Sequence, residues 1–277
     1  MSSCPRVFAT DFDGTLLRSD HTLSARSVAA ISAAESAGCL VVVVTARPPR
    51  WMDEFRAQVG AHGLVICGNG SFVYDAHGGT VVEEHPIDRA TVLEVVGLLR
   101  AALPGTAFAL EGRSGMAAED AFVAIPGPSG EPVRDTRRVG PLETLLDEEL
   151  PGKLLARHPA TALDEFLVRA AEVVGDRVQL AYSGAPGLAE MTARGVTKAV
   201  ALQRWCAEHG IQAGDVWAFG DMPNDIPMLA WAGRGYAVGN AHPQAVAAAS
   251  HRCGRNDEDG VAQVIEEALR QRTAPTR

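Results

Sequence analysis

Short apolar runs rich in β-branched residues recur along this chain and constrain its fold more than any other feature. Residues 6–10 and 39–44 form two such runs, and the segment between them has a candidate helix N-cap at Ser24 and a glycine, Gly38, just past its end. Similar runs follow at residues 64–67, 216–219 and 235–238. Strands that are apolar throughout are typical of a parallel sheet buried on both faces. The pattern therefore predicts such a sheet, covered by helices that include residues 198–209 and 258–271.

The middle of the chain has a different pattern, in which strands and helices are mixed. Helices are predicted at residues 88–102 and 163–174, and strands at residues 106–111, 153–158 and 177–181. A glycine- and proline-rich part, residues 126–132, predicts an exposed loop.

We therefore predict an α/β fold with a Rossmann-like parallel-sheet core and helices on both faces. Residues 1–83 and 190–277 would form this core. Residues 84–189 would form an inserted α+β domain, called the cap below.

Two carboxylates directly follow the first predicted strand, in the sequence Asp11-Phe12-Asp13-Gly14-Thr15-Leu16. Residues two apart leave a strand end on the same side, at the edge where open α/β sheets bind ligands. Like charges at this spacing favour a hard cation such as Mg²⁺. One carboxylate could then attack a substrate while the other transfers protons. A solvated acidic turn is the alternative, since Asp and Gly are common turn residues.

Two further polar side chains stand at comparable positions. Thr45 follows the second predicted strand and could donate its hydroxyl to a phosphoryl oxygen, although a turn residue needs no such role. Lys198 opens a helix for which Thr197 is the predicted N-cap. A lysine at a helix start opposes the helix dipole by roughly a few tenths of a kcal/mol, which points to another reason for its position. An ordinary surface lysine is the alternative.

A second acidic group follows the strand predicted at residues 216–219. Asp221 stands at the strand end, and Asn224 or Asp225 could cap the next helix, whose first turn tolerates Pro227. Capping accounts for Asp225 but not for Asp221, and two acids near a strand end again favour a metal. All of these groups fall at strand ends or helix starts, and together they suit phosphoryl transfer.

Bulk composition excludes several classes of partner. The chain has 277 residues, of which 47% are hydrophobic, enough for a core domain and a smaller second one. A net charge of -9 gives no electrostatic attraction to nucleic acid or anionic lipid. Five scattered cysteines fit neither a zinc site nor a disulfide framework. With no signal-like or membrane-spanning stretch, we expect a cytoplasmic monomer or homodimer that binds neither nucleic acid nor membrane.

The motifs, taken in order, resemble those of the haloacid dehalogenase (HAD) superfamily, in particular its Cof-like phosphatases, which carry a large α+β cap. The matching pieces are DFDGTL from Asp11, VVVTAR ending at Arg47, ICGNG from Ile66, GVTK ending at Lys198 and AFGDMPNDIPML from Ala218. Further likeness at residues 239–241 and 259–261 extends the resemblance over nearly the whole chain. Ala46 departs from the pattern, because a glycine is expected after the motif threonine.

The resemblance implies a role for each matching residue. Asp11 is the implied nucleophile that forms an aspartyl-phosphate, and Asp13 is the implied general acid/base, with its backbone carbonyl on Mg²⁺. Asp11 and Asp221 are further implied ligands of Mg²⁺, and Asp225 would support the metal or the lysine. The implied phosphate-binding residues are Thr45, Lys198 and Asn224.

The predicted function is Mg²⁺-dependent hydrolysis of a small organic phosphate monoester through an aspartyl-phosphate. Asp13 argues against the dehalogenating branch of the superfamily, because a proton donor to a leaving group suits phosphoryl chemistry. A sugar phosphomutase of this fold and a non-catalytic Mg²⁺-binding regulatory protein are the alternatives. Few aromatic residues in the cap favour a sugar-like phosphorylated metabolite as partner. The polar candidates for selecting it are Glu111, Arg113 and Glu119 in the cap and Arg47, Arg50 and Asn69 in the core. For each of them, an ordinary surface residue is the alternative.

Overall fold

The structure is a computed structural model that describes residues 4–60, 62–125, 133, 135–160, 163–183 and 186–273. The loop predicted at residues 126–132 lies outside the described residues. Among the helices of the described part, none is both long enough and apolar enough to cross a membrane.

Two β-sheets and the helices around them make up the described part of the chain. The strands are, in chain order, β1 (Val7–Thr10), β2 (Leu40–Val44), β3 (Leu64–Cys67), β4 (Phe72–Asp75), β5 (Thr80–Glu84), β6 (Ala107–Gly112), β7 (Gly115–Ala118), β8 (Thr136–Val139), β9 (Lys153–Arg157), β10 (Val178–Ala181), β11 (Ala189–Ala193), β12 (Val216–Gly220), β13 (Arg234–Ala237) and β14 (His251–Arg252). The helices are α1 (Ala25–Ser36), α2 (Arg89–Ala102), α3 (Asp120–Val123), α4 (Leu142–Glu148), α5 (Leu163–Val174), α6 (Lys198–Glu208), α7 (Ile226–Trp231), α8 (Pro243–Ala248) and α9 (Gly260–Thr273).

The first sheet has the strand order β14-β13-β12-β1-β2-β3-β4-β5. Strands β14 to β3 run parallel, whereas β4 and β5 are added antiparallel at one edge. Counted along the chain, the parallel strands alone follow the order 3-2-1-4-5-6 of the Rossmann fold. The predicted Rossmann-like α/β core is therefore confirmed. The sequence pattern does not predict the hairpin of β4 and β5, because β5 is a short edge strand of mixed composition that is only partly buried.

Helices cover both faces of this sheet because the strand side chains alternate between two apolar layers. Phe8 and Val41 pack in the layer with α1 and α9, whereas Val7 and Ala9 pack with α6 and α7. Helix α1 begins where predicted, since the side chain of Ser24 accepts a hydrogen bond from the backbone N–H of Ser27.

The second sheet has the strand order β10-β11-β9-β6-β7-β8 and is antiparallel except for the pair β7 and β8. Phe108, Leu110 and Leu154 pack on one face against α2 and α5. The domain boundaries predicted from the sequence stay a prediction. Strand β11 straddles the predicted boundary between residues 189 and 190 and pairs within the second sheet.

Candidate active site

The ends of two adjacent parallel strands bring the first acidic residues together. Strands β1 and β12 are neighbours, and the chain order of the parallel strands reverses between them, which is where open α/β sheets bind ligands. Asp11 directly follows β1 and Asp221 directly follows β12, and both side chains are buried. The backbone N–H of Asp11 donates to the carbonyl oxygen of Phe219 at 2.9 Å, so the two strand ends are fixed to each other.

Lys198 connects Asp11 to a third carboxylate. Its Nζ donates to Oδ1 of Asp11 at 2.6 Å and to Oδ1 of Asp225 at 2.8 Å, and the lysine is only 1% exposed. Thr197 caps α6 by accepting a hydrogen bond from the backbone N–H of Val200, as predicted. The cap fixes the helix start that aims Lys198 inward, so Lys198 is not an ordinary surface lysine.

Asp225 is fully buried and does not cap α7 through its side chain. Its Oδ2 instead accepts hydrogen bonds from the backbone N–H groups of Asp221 and Met222, at 3.0 and 2.9 Å. One oxygen of Asp225 therefore shapes the turn that carries Asp221, and the other oxygen binds Lys198.

The turn after Asp11 is shaped to approach Asp221. Gly14 has a φ of +71°, and a Cβ there would lie 2.6 Å from Oδ2 of Asp221. Thr15 donates its hydroxyl to Oδ1 of Asp221 at 2.9 Å, and Asn240 donates its amide to the carbonyl oxygen of Gly14 at 2.7 Å. Glycine is required at this position by both conformation and space.

Burial and neighbouring charge raise the pKa values of Asp11 and Asp221. Burial, followed by the charge of Asp225, raises the pKa of Asp221 to about 6, and burial and Asp225 also raise the pKa of Asp11. The pKa of Lys198 is raised despite its burial, because Asp11 and Asp225 attract its positive charge. The ammonium therefore stays charged while the carboxylates repel one another.

The acidic cluster fits a divalent cation. Asp11, Asp221 and Asp225 each offer a carboxylate oxygen, and these atoms lie within 4.8 Å of one another. When all three are ionised, Lys198 neutralises only one of their charges, which leaves the charge that a divalent cation carries. Carboxylate oxygens are also the ligands that Mg²⁺ prefers.

Asp13 is placed apart from this cluster. Its two carboxylate oxygens accept hydrogen bonds from Nε and Nη2 of Arg47, at 2.8 and 2.7 Å, and its side chain is 43% exposed. The guanidinium of Arg47 also lies over the rings of Phe12 and Phe55. A role of Asp13 on the metal would therefore fall to its backbone carbonyl, as the resemblance implies, and not to its carboxylate.

Two of the other predicted phosphate-binding and substrate residues, Thr45 and Asn69, lie in the turns that follow β2 and β3, and Asn224 reaches Asn69 from the turn that follows β12. Thr45 is buried, and its hydroxyl accepts a hydrogen bond from the backbone N–H of Arg47 at 3.0 Å. The side chain of Asn224 donates to Oδ1 of Asn69 at 3.1 Å, and Asn69 donates to Oε2 of Glu190 at 2.9 Å. Both ends of the Asn69 amide thus contact protein groups, and a substrate could bind without displacing them only through the second N–H or the second lone pair of the amide.

The three predicted cap residues have separate surroundings. Arg50 forms a two-fold hydrogen-bonded ion pair with the buried Glu111, at 3.0 and 2.9 Å, which links the turn after β2 to the second sheet. Glu119 contacts Arg100 and the backbone N–H of Phe108, within the second sheet and its helices. Arg113 is largely exposed and donates to the carbonyl oxygen of Val81 at 3.3 Å. Of the three, Glu111 alone contacts a predicted substrate-selecting residue of the core.

Sequence reasoning missed Lys153 and Glu190. The two form a buried ion pair with 3.2 Å between Nζ and Oε2, and Nζ of Lys153 also donates to the carbonyl oxygen of Ala46 at 3.0 Å. The rarity of lysine in this sequence could have indicated that Lys153 has a special role. The chain has only two lysines, Lys153 and Lys198, among 25 basic Lys and Arg residues.

Known proteins resemble this chain over nearly its whole length. The family described as haloacid dehalogenase-like hydrolase matches residues 8–265. Pyridoxal phosphate phosphatase YbhA of Escherichia coli K12 is 31% identical over 94% of this chain and 97% of its own. The 5-amino-6-(5-phospho-D-ribitylamino)uracil phosphatase YitU of Bacillus subtilis 168 is 28% identical over 96% of this chain and 98% of its own. Among solved structures, the HAD-superfamily phosphatase BT1666 of Bacteroides thetaiotaomicron has a TM-score of 0.79 at 23% identity, covering 97% of this chain and 96% of that one.

Proposed function

The chain belongs to the haloacid dehalogenase-like hydrolases and is a phosphatase of their Cof-like branch, and we propose that it hydrolyses small phosphate monoesters through an aspartyl-phosphate on Asp11 with Mg²⁺ as cofactor. The observation that carries this proposal is the position of Asp11 between Lys198 and the other two acids of the cluster, Asp221 and Asp225. A carboxylate held beside both a cation and a metal-binding group is arranged to approach a phosphate dianion.

In the first half-reaction, a carboxylate oxygen of Asp11 attacks phosphorus and the bond to the leaving oxygen breaks. Lys198 already binds Oδ1 of Asp11, so Oδ2 is the oxygen left for attack. Asp13 takes part in this step as the carboxylic acid, with at least one of its hydrogen bonds to Arg47 released, and it gives its proton to the leaving oxygen. Thr45 and Lys198 bind the phosphoryl oxygens as negative charge accumulates on them.

In the second half-reaction, water attacks the phosphorus of the aspartyl-phosphate. Asp13 accepts a proton from this water, the bond between phosphorus and Asp11 breaks, and inorganic phosphate leaves. Asp13 is therefore protonated again, as it was at the start of the cycle. Bound Mg²⁺, held by Asp11, Asp221 and the backbone carbonyl of Asp13, would supply positive charge to neutralise the acids and the phosphoryl group.

The substrate is proposed as a small phosphorylated metabolite. The two curated relatives described above are phosphatases of pyridoxal phosphate and of a phosphorylated ribitylaminouracil. The composition of the cap favours a sugar-like phosphate instead. Both kinds of compound therefore belong in the first panel of substrates.

The test is release of inorganic phosphate by the purified protein with Mg²⁺ from pyridoxal phosphate, the ribitylaminouracil phosphate, hexose phosphates, nucleoside monophosphates and an activated aryl phosphate. We expect hydrolysis of one or more members, loss of activity in excess chelator and recovery on adding Mg²⁺. The matched control is Asp11→Asn, which changes one atom of the nucleophile. Full activity in chelator would contradict the metal requirement, and no release from any compound would contradict the proposed reaction.

A further inference from the structure

The second sheet turns a charged face toward the phosphate-binding turns of the core. Leu154 of β9 packs in the apolar layer with α2 and α5, so its neighbour Lys153 points to the opposite face. In the strand register, Glu111 of β6 lies opposite Lys153 of β9. Glu190 of β11 lies opposite Leu155, whose side chain is on the same face of the sheet as that of Lys153. These three charged residues are all buried.

Each of these charges contacts a different point of the core turns. Glu111 binds the side chain of Arg50, Glu190 binds the side chain of Asn69, and Lys153 binds the backbone carbonyl of Ala46. The contact of Lys153 differs from the other two in its target. Ala46 is bonded directly to Thr45, so the ammonium acts on the backbone of the phosphate-binding turn itself.

The turns that Lys153 touches are tightly constrained. The backbone N–H of Asn69 donates to the carbonyl oxygen of Thr45 at 3.0 Å, and that of Gly68 donates to the carbonyl oxygen of Arg47 at 2.8 Å. Asn69 has a φ of +58°, between two glycines that also have positive φ. A Cβ on Gly68 would lie 3.5 Å from Cδ of Lys153. The lysine stem thus passes over one turn to reach the carbonyl of the other.

Glu190 connects the ammonium of Lys153 to Asn69 in the turn after β3. Its Oε2 forms the ion pair with Lys153 and accepts a hydrogen bond from Asn69, and its Oε1 accepts a hydrogen bond from Ser183 at 3.1 Å. Asn69 in turn accepts from the amide of Asn224. The carboxylate therefore fixes the ammonium and joins it, through Asn69 and Asn224, to the segment that carries Asp221 and Asp225.

The use of lysine at this position is selective. All but two of the 25 Lys and Arg residues are Arg, and both lysines, Lys153 and Lys198, are buried beside the Thr45 turn or Asp11. An ammonium is a compact charge with three rotatable donors, whereas a guanidinium is a wide planar fork. The two lysines thus occur where the positive charge binds a single backbone oxygen, at Lys153, or two nearby carboxylates, at Lys198.

We propose that Lys153 is a positioning residue of the phosphoryl-transfer site: fixed by Glu190, its ammonium holds the carbonyl of Ala46 and so orients the Thr45 hydroxyl and the turn that carries Arg47. This proposal rests on the proposed function, since it assigns Lys153 to the same reaction. The second sheet thereby contributes to catalysis as well as to substrate selection.

The test compares two neutralised ion pairs. Lys153→Met alone would leave Glu190 buried without its counter-charge, so the informative variant is the double change Lys153→Met with Glu190→Gln, which removes both charges. The matched control is Arg50→Met with Glu111→Gln, which neutralises an ion pair that joins the second sheet to the core. The control pair has no hydrogen bond to the backbone of residues 45–47 in the described part of the chain.

Activity on an activated aryl phosphate at saturating Mg²⁺ is the main measurement, with thermal melting as the check on folding. We expect kcat of the Lys153/Glu190 double variant to fall by roughly ten- to a hundredfold, since displacement of a binding group by about 1 Å has effects of that size. Its affinity for inorganic phosphate with Mg²⁺ should fall in parallel. The Arg50/Glu111 variant removes two predicted substrate-selecting residues, so we expect it to change KM and melting temperature, and its kcat to fall less than that of the Lys153/Glu190 variant. Equal kcat values in the two double variants would overturn the positioning role, because both pairs would then serve only to seat the second sheet.

A spectroscopic measurement tests the same proposal without turnover. Protein labelled with ¹⁵N-lysine has two side-chain ammonium groups, and the Lys153→Met with Glu190→Gln variant assigns them. We expect inorganic phosphate with Mg²⁺ to shift the Lys153 signal as well as that of Lys198, and an unmoved Lys153 signal would count against the proposal. Failure of the proposed function is distinct: the wild-type protein would then hydrolyse no phosphate ester, and the positioning role would fail with it.

Discussion

Lys198 and Asp11 are 187 positions apart in the chain, yet Nζ of Lys198 lies 2.6 Å from Oδ1 of Asp11 in the interior of the protein. The lysine reaches Asp11 from the first turn of α6, and its second hydrogen bond goes to Asp225. One cation therefore serves two of the three clustered acids. Removal of either partner would leave buried charge without compensation.

Lys198→Met should change kcat and Mg²⁺ affinity in opposite directions, because the lysine charge favours phosphoryl transfer and opposes Mg²⁺ binding. We expect kcat to fall by roughly a hundredfold or more, because a charge that binds the phosphoryl group is lost. Mg²⁺ should bind more tightly than in wild type, since the acidic cluster loses its internal cation. Calorimetric titration of Mg²⁺ beside steady-state kinetics checks both expectations, with Arg50→Met as a control that removes a positive charge outside the cluster. Weaker Mg²⁺ binding in Lys198→Met would contradict this account.

Gly14→Ala should act on the metal site through one added methyl group. The new Cβ would stand 2.6 Å from Oδ2 of Asp221, so the carboxylate must move. Gly38→Ala is the matched control, because Gly38 also has a positive φ, +80°, but a Cβ added there would meet nothing within 4 Å beyond its own chain neighbours. Both variants should lose about 1 kcal/mol of stability from backbone strain. Only Gly14→Ala should raise the Mg²⁺ concentration needed for half-maximal activity, by roughly tenfold or more, and equal Mg²⁺ requirements would refute the prediction.

The raised pKa of Asp221 predicts how the metal-free protein responds to pH. Its pKa is about 6 in the folded protein against an ordinary value of 3.8, so its favourable contribution is present below the ordinary value and is lost as pH rises through 6. Relative to Asp221→Asn, metal-free wild type should lose on the order of 1 kcal/mol of unfolding free energy between about pH 5 and pH 7. Denaturant unfolding in chelator at the two pH values measures this.

Two comparisons make the pH result specific. Asp176→Asn, at an exposed acid, should show no such pH-dependent difference. Added Mg²⁺ should stabilise wild type more at the higher pH, because binding requires the ionised carboxylate. A difference between wild type and Asp221→Asn that does not change with pH would disprove the assignment.

Local patterns were sufficient to predict most of the core. Apolar strands, the Ser24 cap and the Thr197 cap depend on neighbouring residues, and each is found where the pattern places it. Strand ends and the starts of the following helices meet at one edge of a doubly wound sheet, so these motif positions indicated that Asp11 and Lys198 lie near each other, although they did not predict the hydrogen bond between them. The hairpin of β4 and β5 was harder to predict, because the edge strand β5 is only partly buried and its two adjacent valines do not alternate with polar residues.

The roles of Asp225 and Lys153 could not be predicted from local sequence. Asp225 stands at a helix start, which favours capping, but its side chain is used by the preceding turn and by Lys198. Lys153 contacts Ala46, 107 positions away, through a strand whose register decides which of its side chains face the core turns. Tertiary packing determines the contact of Asp225 with Lys198 and that of Lys153 with Ala46, and periodicity within one segment contains no information about either of them.

Asp11→Asn should test whether Asp11 itself attacks phosphorus. Asp11 directly follows a buried strand and is held by Lys198, a rigid placement that favours attack along one direction. We expect activity to fall by several orders of magnitude, because the residue acts in both half-reactions. In the Asp13→Asn variant, Asp11 should still accept a phosphoryl group from a substrate with a good leaving group. Hydrolysis of the resulting aspartyl-phosphate should then be slow. Acid quench of a single turnover, followed by mass spectrometry, should therefore find a phosphorylated Asp11 peptide in Asp13→Asn and none in Asp11→Asn. If no quench time yields that peptide and Asp11→Asn keeps substantial turnover, water attacks phosphorus directly and Asp11 serves as a metal ligand.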